Sequence, residues 1–485
     1  MPVRHLKSCW LNFLSNEQIE PVRQAIFTLL DEIGVRVEWL PALQIYRDHG
    51  CPVDFNTHLV RIPEHILLKA LDRAPHSFQL HAADLQWTVN VTLDDVYTIA
   101  GSSALSVLDL EGVHRPAQLK DLGDFTRLLD ALDQVHIMHA MVIPQDIAQD
   151  GFDRILFAEI LKNTTRHYYS QGMGAGSVTD QVELASIIQG GVTRVREAPL
   201  FSMVICLNSP LVHSAERVQE MLECAAFGIP VWLEPTNMMG ATAPVDIAGA
   251  LVENCANSLA AVTLMQLISP GHPCVLSTAS GSFNMRTGAY VAVSPEAVLL
   301  HCATAQVAHS FGLPFQGGSG LDSPLPDAQA GYERMLQAAP MSLAGVNFIH
   351  LAFGMIDQLL TASYEQALID AEIFSAAFRL CSGIPITSES LSLDQFRQAG
   401  PGGQFLNQRY TRQNYRRLHW QPALTCRLSW EDFQRTHQGK DMRQRANEEA
   451  RHILAEHHPQ PFDDRTALEL DQTARRLQRA IQKDT

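Results

Sequence analysis

The chain has no basic excess. Its 36 lysines and arginines are outnumbered by 52 aspartates and glutamates, a formal charge of −16. With no basic tract to neutralise phosphates, nucleic acid is not an expected partner, and an anionic membrane surface is disfavoured for the same reason. No run of about 18 uninterrupted apolar residues occurs, so no transmembrane helix is expected. The opening stretch MPVRHLKSCWLNFLSNEQ has no sustained apolar core and no small-residue cleavage site, so no secretory signal is expected either. Nine cysteines are scattered without a single CxxC pair, and Cys206, Cys274 and Cys302 lie inside apolar runs. Such usage points to reduced thiols, a cytoplasmic location and no metal site.

What is present is a rhythm. At 485 residues, 46% of them hydrophobic, the chain exceeds the usual single-domain size. Residues 15–34 read as a helix: Ser15 and Gln18 have capping-box spacing, Ile19, Val22, Ile26, Leu29 and Ile33 form one stripe, and Gly34 ends it. Pro63 opens a second helix that closes before Pro75. Phe78–His81 and Gln86–Val91 resemble a strand pair. Residues 1–95 are therefore expected to be an N-terminal helical addition.

Eight candidate strands follow: Val96–Ala100, Ile137–Ile143, Arg166–Gln171, Leu200–Leu207, Pro230–Glu234, Cys274–Thr278, Pro314–Gly318 and Asn347–Ala352. Their spacing, roughly 30 to 45 residues, suits a strand plus a crossover helix. Helical runs at Leu119–Leu132, Val212–Phe227, Val245–Leu267 and Pro295–Phe311 lie between them. Eight such units predict an α/β fold, a (β/α)8 TIM-type barrel over residues 96–381. An open doubly wound sheet is the alternative, and the lack of a glycine-rich dinucleotide turn after the first strand weighs against it. Residues 382–485 are expected to form a C-terminal extension packed on the barrel, with polar helices at Trp430–His457 and Arg465–Lys483.

The stretch from Pro230 to Glu333 gathers polar residues just past three strand ends, where barrels build their sites. Its segments EPTNMMGATAPVDIAGALV, MRTGAYVAVSPEA and GLPFQGGSGLDSPLPDAQAGYE, with LTASYEQALIDAEI further on, resemble the trimethylamine methyltransferase family of corrinoid-dependent enzymes. HWQPAL and GKDMRQRANEEARHILAEH extend the likeness into the tail. The resemblance implies a barrel that moves a methyl group from an amine to the cobalt of a separate corrinoid protein. The chain contains only standard residues, whereas trimethylamine-specific members carry pyrrolysine. This likens it to the branch that uses glycine betaine and related quaternary amines. Where relatives tend to show GHFLGHPHT, this chain reads GQFLNQRYT, with Gln404, Gln408 and Tyr410 replacing histidines. Asn284 precedes MRTG where an Asp is expected. No Asp-x-His-x-x-Gly cobalamin motif is present, so the corrinoid is expected to arrive in trans. Association between copies of the chain is left open.

A quaternary ammonium leaves as a neutral tertiary amine and needs no general acid. The implied task is therefore orientation, with the difficult chemistry resting on the cofactor, and neither a catalytic triad nor a metal cluster is expected. Glu234, at the end of the fifth strand, is a candidate for the ammonium, or else a structural acid near Pro235. Trp232 shares its phase but lies one layer deeper, as core. Tyr168, Gln171 and Phe353 are candidate pocket walls or core. His350, near the end of the eighth strand, is a site residue or a satisfied core histidine. Arg286 is a candidate fork for a substrate carboxylate, or a loop-fixing cation. Asp322 and Gln329 are candidates for the mouth, while Asp327 is read first as a helix cap. Gly317, Gly318 and Gly320 allow close backbone approach without forming a phosphate loop. A barrel that binds a quaternary amine without catalysis, or a diverged relative with another small substrate, is the alternative function.

Overall fold

The computed structural model describes residues 6–7, 11–83, 87–174 and 176–484. Eight parallel strands form its centre: β1 (Asp95–Thr98), β2 (Ile137–Met138), β3 (His167–Gln171), β4 (Phe201–Leu207), β5 (Val231–Pro235), β6 (Cys274–Ser277), β7 (Phe315–Gly317) and β8 (Phe348–Ile349). Each pairs with the next from β2 to β8, and β8 pairs with β1. A parallel bridge between Ile99 and Ile137 closes the ring. The sheet is thus a TIM-type barrel, and each of the eight expected strands overlaps an observed one.

Eight helices wrap it: α1 (Leu119–Asp130), α2 (Phe152–Lys162), α3 (Ser177–Gln189), α4 (Ala215–Phe227), α5 (Ile247–Ile268), α6 (Pro295–Ser310), α7 (Ala328–Ala344) and α8 (Tyr364–Cys381). The run expected as one helix from Val212 divides, because Val212–His213 pairs as a strand with Val35–Val37 before α4 begins. α5 is apolar on every side. It packs inward on β5 and β6 and outward on the helices Asn16–Thr28, Leu40–Asp48 and Glu64–Leu71. Tyr46 donates to the Ala260 carbonyl at 2.9 Å across that contact. Burial on both sides explains its composition, which is long and apolar enough to cross a membrane although most of it lies inside the protein.

The N-terminal part also closes the barrel. Strands Phe78–His81 and Thr88–Val91 form an antiparallel hairpin; Gln86, expected to begin the second strand, lies outside the described residues. Leu80, Val89 and Val91 pack against Tyr97, Ile99, Tyr169, Trp232 and Phe348 of the barrel interior. His81 and Asn90 carbonyls accept from His167 at 2.6 Å and from the Tyr97 hydroxyl at 2.7 Å. His167 opens β3, so the hairpin stops the amino end of the barrel and leaves the opposite mouth for chemistry.

In the tail, the run expected as one helix from Trp430 breaks into Trp430–His437 and Met442–Glu456. Gln438 and Gly439, at φ 55° and 72°, turn the chain between them. Met442–Glu456 lies on α8, and the last helix, Asp464–Asp484, lies on α2 and α3.

Candidate active site

Alternate side chains of a strand face the barrel interior. Trp232 is fully buried there, so Glu234, two residues on, points inward as well. The same parity directs His139, Tyr169, Cys206, Ser277, Gln316 and His350 inward near the carboxyl ends of the strands, with Gln171 inward one step beyond Tyr169. Register confirms the level: Cys206 pairs with Glu234, and Ser277 with Gln316.

Glu234 is the centre of this ring and is only 6% exposed. Its Oε2 accepts from Gln316 Nε2 at 2.7 Å, Ser277 Oγ at 2.9 Å and, more weakly, the Tyr169 hydroxyl at 3.4 Å. Among the described residues no donor bonds Oε1. One carboxylate oxygen is therefore saturated by neutral donors and the other is left to meet a ligand. Burial raises Glu234 above the usual carboxylate range, opposed by those same hydrogen bonds.

Gln316 fixes the neighbouring imidazole. Its Nε2 also lies 3.0 Å from His350 Nδ1. The opposite amide orientation would set two oxygens 2.7 Å apart at Glu234, so the nitrogen faces the carboxylate. Both amide protons are then donated, His350 Nδ1 accepts, and the imidazole proton sits on Nε2. Burial, followed by neighbouring His139, pushes His350 well below the ordinary imidazole value. Although Nδ1 stands 3.8 Å from Glu234 Oε2, the pair is a neutral ring beside a carboxyl group and not a salt bridge. His139 donates from Nδ1 to the Tyr169 carbonyl at 2.6 Å and is pushed by burial down to about 4. Tyr169 stands with its ring centroid 5.0 Å from that of His350, 4.9 Å from His139 and 5.1 Å from Trp232. The result is a carboxyl group framed by electron-rich faces and neutral imidazoles, an arrangement suited to a cation that carries no proton.

The rim is built by the loops after the strands. Met238–Met239 pairs with Gly281–Phe283, which pairs in turn with Tyr290–Val291. Asp322 holds the hairpin's return by accepting from Ala292 and Val293 backbone nitrogens at 2.8 and 2.9 Å. Glu333 accepts from the Asp322 and Ser323 nitrogens and from Gln329 Nε2 at 2.7 Å. Asp322 and Gln329 thus brace the rim, and Asp327 caps α7 through the nitrogens of Gln329 and Ala330. Arg286 lies exposed at the hairpin tip, where Asn284 Oδ1 accepts from its backbone nitrogen at 3.0 Å. An Asp at 284 would offer the same oxygen, so the turn tolerates the exchange. Behind the rim, Arg334 and Asp370, both fully buried, pair at 3.0 Å; Asp370 also accepts from Gly354. Gly318, at φ 143°, lets β7 approach β8, since an added Cβ would lie 2.3 Å from the His350 carbonyl oxygen.

Of the residues expected to line the site, Glu234 and His350 share the ring, while Gln171 points inward one step beyond Tyr169, with Ser103 Oγ 3.4 Å from its Oε1. Tyr168 does not: it has the opposite parity and packs outside the barrel wall against Phe157, ring centroids 5.5 Å apart. Phe353 is likewise outside, against Phe374 of α8. Tyr169, Gln316, Ser277, His139 and Cys206 were not among the expected residues. The signal for them was parity: counting by twos from Trp232 and Glu234, and carrying that level across the strands, reaches each.

A family model described as trimethylamine methyltransferase matches residues 2–481. The glycine betaine methyltransferase of Desulfitobacterium hafniense is 30% identical over 93% of this chain and 94% of its own length. The trimethylamine methyltransferase of Methanosarcina thermophila is 32% identical over 93% and 95%. Among solved structures, the monomethylamine methyltransferase of Methanosarcina barkeri superposes with a TM-score of 0.51 at 12% identity, covering 91% of this chain and 88% of that one. At that identity the likeness bears on the fold alone.

Proposed function

Because the chain belongs to the trimethylamine methyltransferase family, and is accordingly a methyltransferase, we propose that its substrate is a quaternary amine of the glycine betaine type. The methyl group passes to a corrinoid carried by a separate protein. The observation that carries this reading is Glu234: a buried carboxyl group with one oxygen saturated and the other unbonded, beside the faces of Tyr169, His139 and His350. A quaternary ammonium asks only for charge and polarisable faces, each face contributing roughly 0.5 to 2 kcal/mol.

The opposite end of a betaine is a carboxylate. Arg217, on α4, is committed to the buried Glu220, with Nη1 2.8 and 2.7 Å from its two oxygens. Arg286 makes no side-chain ion pair among the described residues, so the hairpin tip offers an unpaired cation at the rim, and we assign it the carboxylate.

A corrinoid brought from outside would dock at the mouth of the barrel. Cys206, Asn208 and Thr236, at the ends of β4 and β5, are exposed above the buried Glu234 and Gln316. When docked there, the corrinoid supplies the cobalt nucleophile. The chain's own part is to hold the C–N⁺ bond in line and to exclude water from the ring. Departure of a neutral amine requires no proton from any residue. The eight described cysteines are all free, which suits a reducing cytoplasm.

The test is a substrate panel with a reduced corrinoid protein, following each demethylated amine by mass spectrometry. Glycine betaine should yield dimethylglycine. Turnover of trimethylamine in its place would sink the substrate assignment.

A further inference from the structure

Most of the ring around Glu234 is tied into hydrogen bonds. Ser277, Gln316 and Tyr169 donate to Glu234, His350 accepts from Gln316, and His139 donates to the Tyr169 carbonyl. Cys206 is different. No hydrogen bond joins its Sγ to a described residue, and of the eight described cysteines it alone is exposed. It shares the inward parity of Ser202, which bonds the ring of His167, and of Val204, which packs in the interior with Trp232 and Tyr169. An inward residue that is nevertheless exposed marks open space in the well at that point. In register beside it stands Glu234, more than nine-tenths buried, with Oε1 unbonded. The open space and the unbonded oxygen therefore adjoin.

We propose that Cys206 is the wall on which the substrate's N-methyl groups rest, and that its short side chain sets the size of the cation the ring admits. This assignment rests on the reading of Glu234 as the partner of a quaternary ammonium. Around that carboxylate, β6 and β7 spend their side chains on Oε2, and β2, β3 and β8 supply aromatic and imidazole faces. β4 is left to bound the space where the methyl groups lie. A thiol suits the task, because free cysteine behaves as a small, polarisable, apolar surface. Its protonation matters as well. A thiolate at this point would take a methyl itself, forming S–CH3 as the C–N bond breaks and the neutral amine departs with the electron pair. Burial, then the Glu234 carboxylate, push the thiol up to about 12, opposed by Arg217. The wall is thus kept from competing for the group that the site presents.

The test labels the thiol of the full chain with two methanethiosulfonates of one shape, one ending in a trimethylammonium group and the other in its neutral tert-butyl counterpart. Peptide mass spectrometry follows modification of Cys206, with each rate divided by that of the same reagent on glutathione. The cationic reagent should react at least about tenfold faster, and Glu234→Gln should abolish that preference. Glycine betaine should slow the labelling with half-effect at its Kd. By calorimetry, Cys206→Leu should weaken glycine betaine at least about tenfold by filling the space, while Cys206→Ala should stay within about threefold of wild type. Equal rates for the two reagents, a preference that survives Glu234→Gln, or a Leu variant that binds betaine like wild type would each overturn the proposal. A preference that depends on Glu234 without protection by betaine would uphold Cys206 as a wall of the cation well and sink the betaine reading alone.

Discussion

Replacing Glu234 with Gln removes one charge from the ring and little else, since Gln and Glu have the same shape. A quaternary nitrogen in van der Waals contact with the carboxylate would lie about 4.5 Å away. At an effective dielectric of about 20 their attraction is about 3.7 kcal/mol. Desolvation of the ammonium and the dipole of the new amide offset part of it, leaving about 2 kcal/mol, or roughly a 30-fold rise in Kd. Calorimetric titration with glycine betaine measures that rise. The control is 3,3-dimethylbutanoate, which puts carbon where betaine has N⁺. It should bind the variant as well as it binds wild type. Titration across pH adds a second reading. Burial raises Glu234, and cation binding needs the ionised form, so betaine affinity should fall as pH falls through that raised value. Glu234→Gln should lose this dependence. Stability has the opposite sign: the folded carboxyl holds its proton more tightly than the unfolded one. Wild type should therefore lose stability as pH rises from the unfolded value through the folded one, and the variant should not. Equal loss of affinity for betaine and its carbon isostere would refute the reasoning, because Glu234 would then be shaping the ring and not pairing with charge.

Arg286→Lys should weaken glycine betaine strongly and tetramethylammonium little, because an ammonium cannot reproduce the planar fork; calorimetry showing equal losses would make Arg286 a loop residue. Asp370→Ala should destabilise the barrel by about 3 to 5 kcal/mol, since it strands the Arg334 guanidinium in the core; a chemical-denaturation change under about 1 kcal/mol would contradict this. Gly318→Ala forces a Cβ to within 2.3 Å of the His350 carbonyl oxygen at a φ few L-residues adopt. It should cost at least about 1 to 3 kcal/mol and loosen betaine binding, and a melting curve matching wild type would show that the two strands separate freely.

The barrel was legible because crossover spacing is a long-range pattern, and eight apolar runs survive errors of a few residues at each end. Parity was not legible. Strands covered by helices outside and by packed side chains inside are apolar on both faces, so Tyr168 and Tyr169 look alike in sequence. Only the register with β4 shows Tyr169 inside and Tyr168 against Phe157. Gln316 was hidden for a related reason: a lone amide between Phe315 and Gly317 carries no sign of the carboxylate 82 residues away that it bonds. Glu234 was legible because a carboxylate at the end of an apolar strand must have a use or a partner. Residues 382–485 are read in sequence only as an extension packed on the barrel, and the exposed apolar side chains of Ile384, Ile386, Leu393 and Phe396 are evident only once the rest of the chain is seen to leave them uncovered.

The central claim is transfer of a methyl group from a quaternary amine held at Glu234 to an external corrinoid. A single-turnover reaction tests it most directly: the purified chain, glycine betaine and one equivalent of reduced corrinoid protein, with methyl-cobalt followed by absorbance and dimethylglycine by mass spectrometry. The account predicts that both form together in one-to-one yield, and that Glu234→Gln slows both alike at subsaturating betaine. Tight betaine binding with no methyl-cobalt, from betaine or any other quaternary amine, would contradict it and leave a binding protein in a methyltransferase fold.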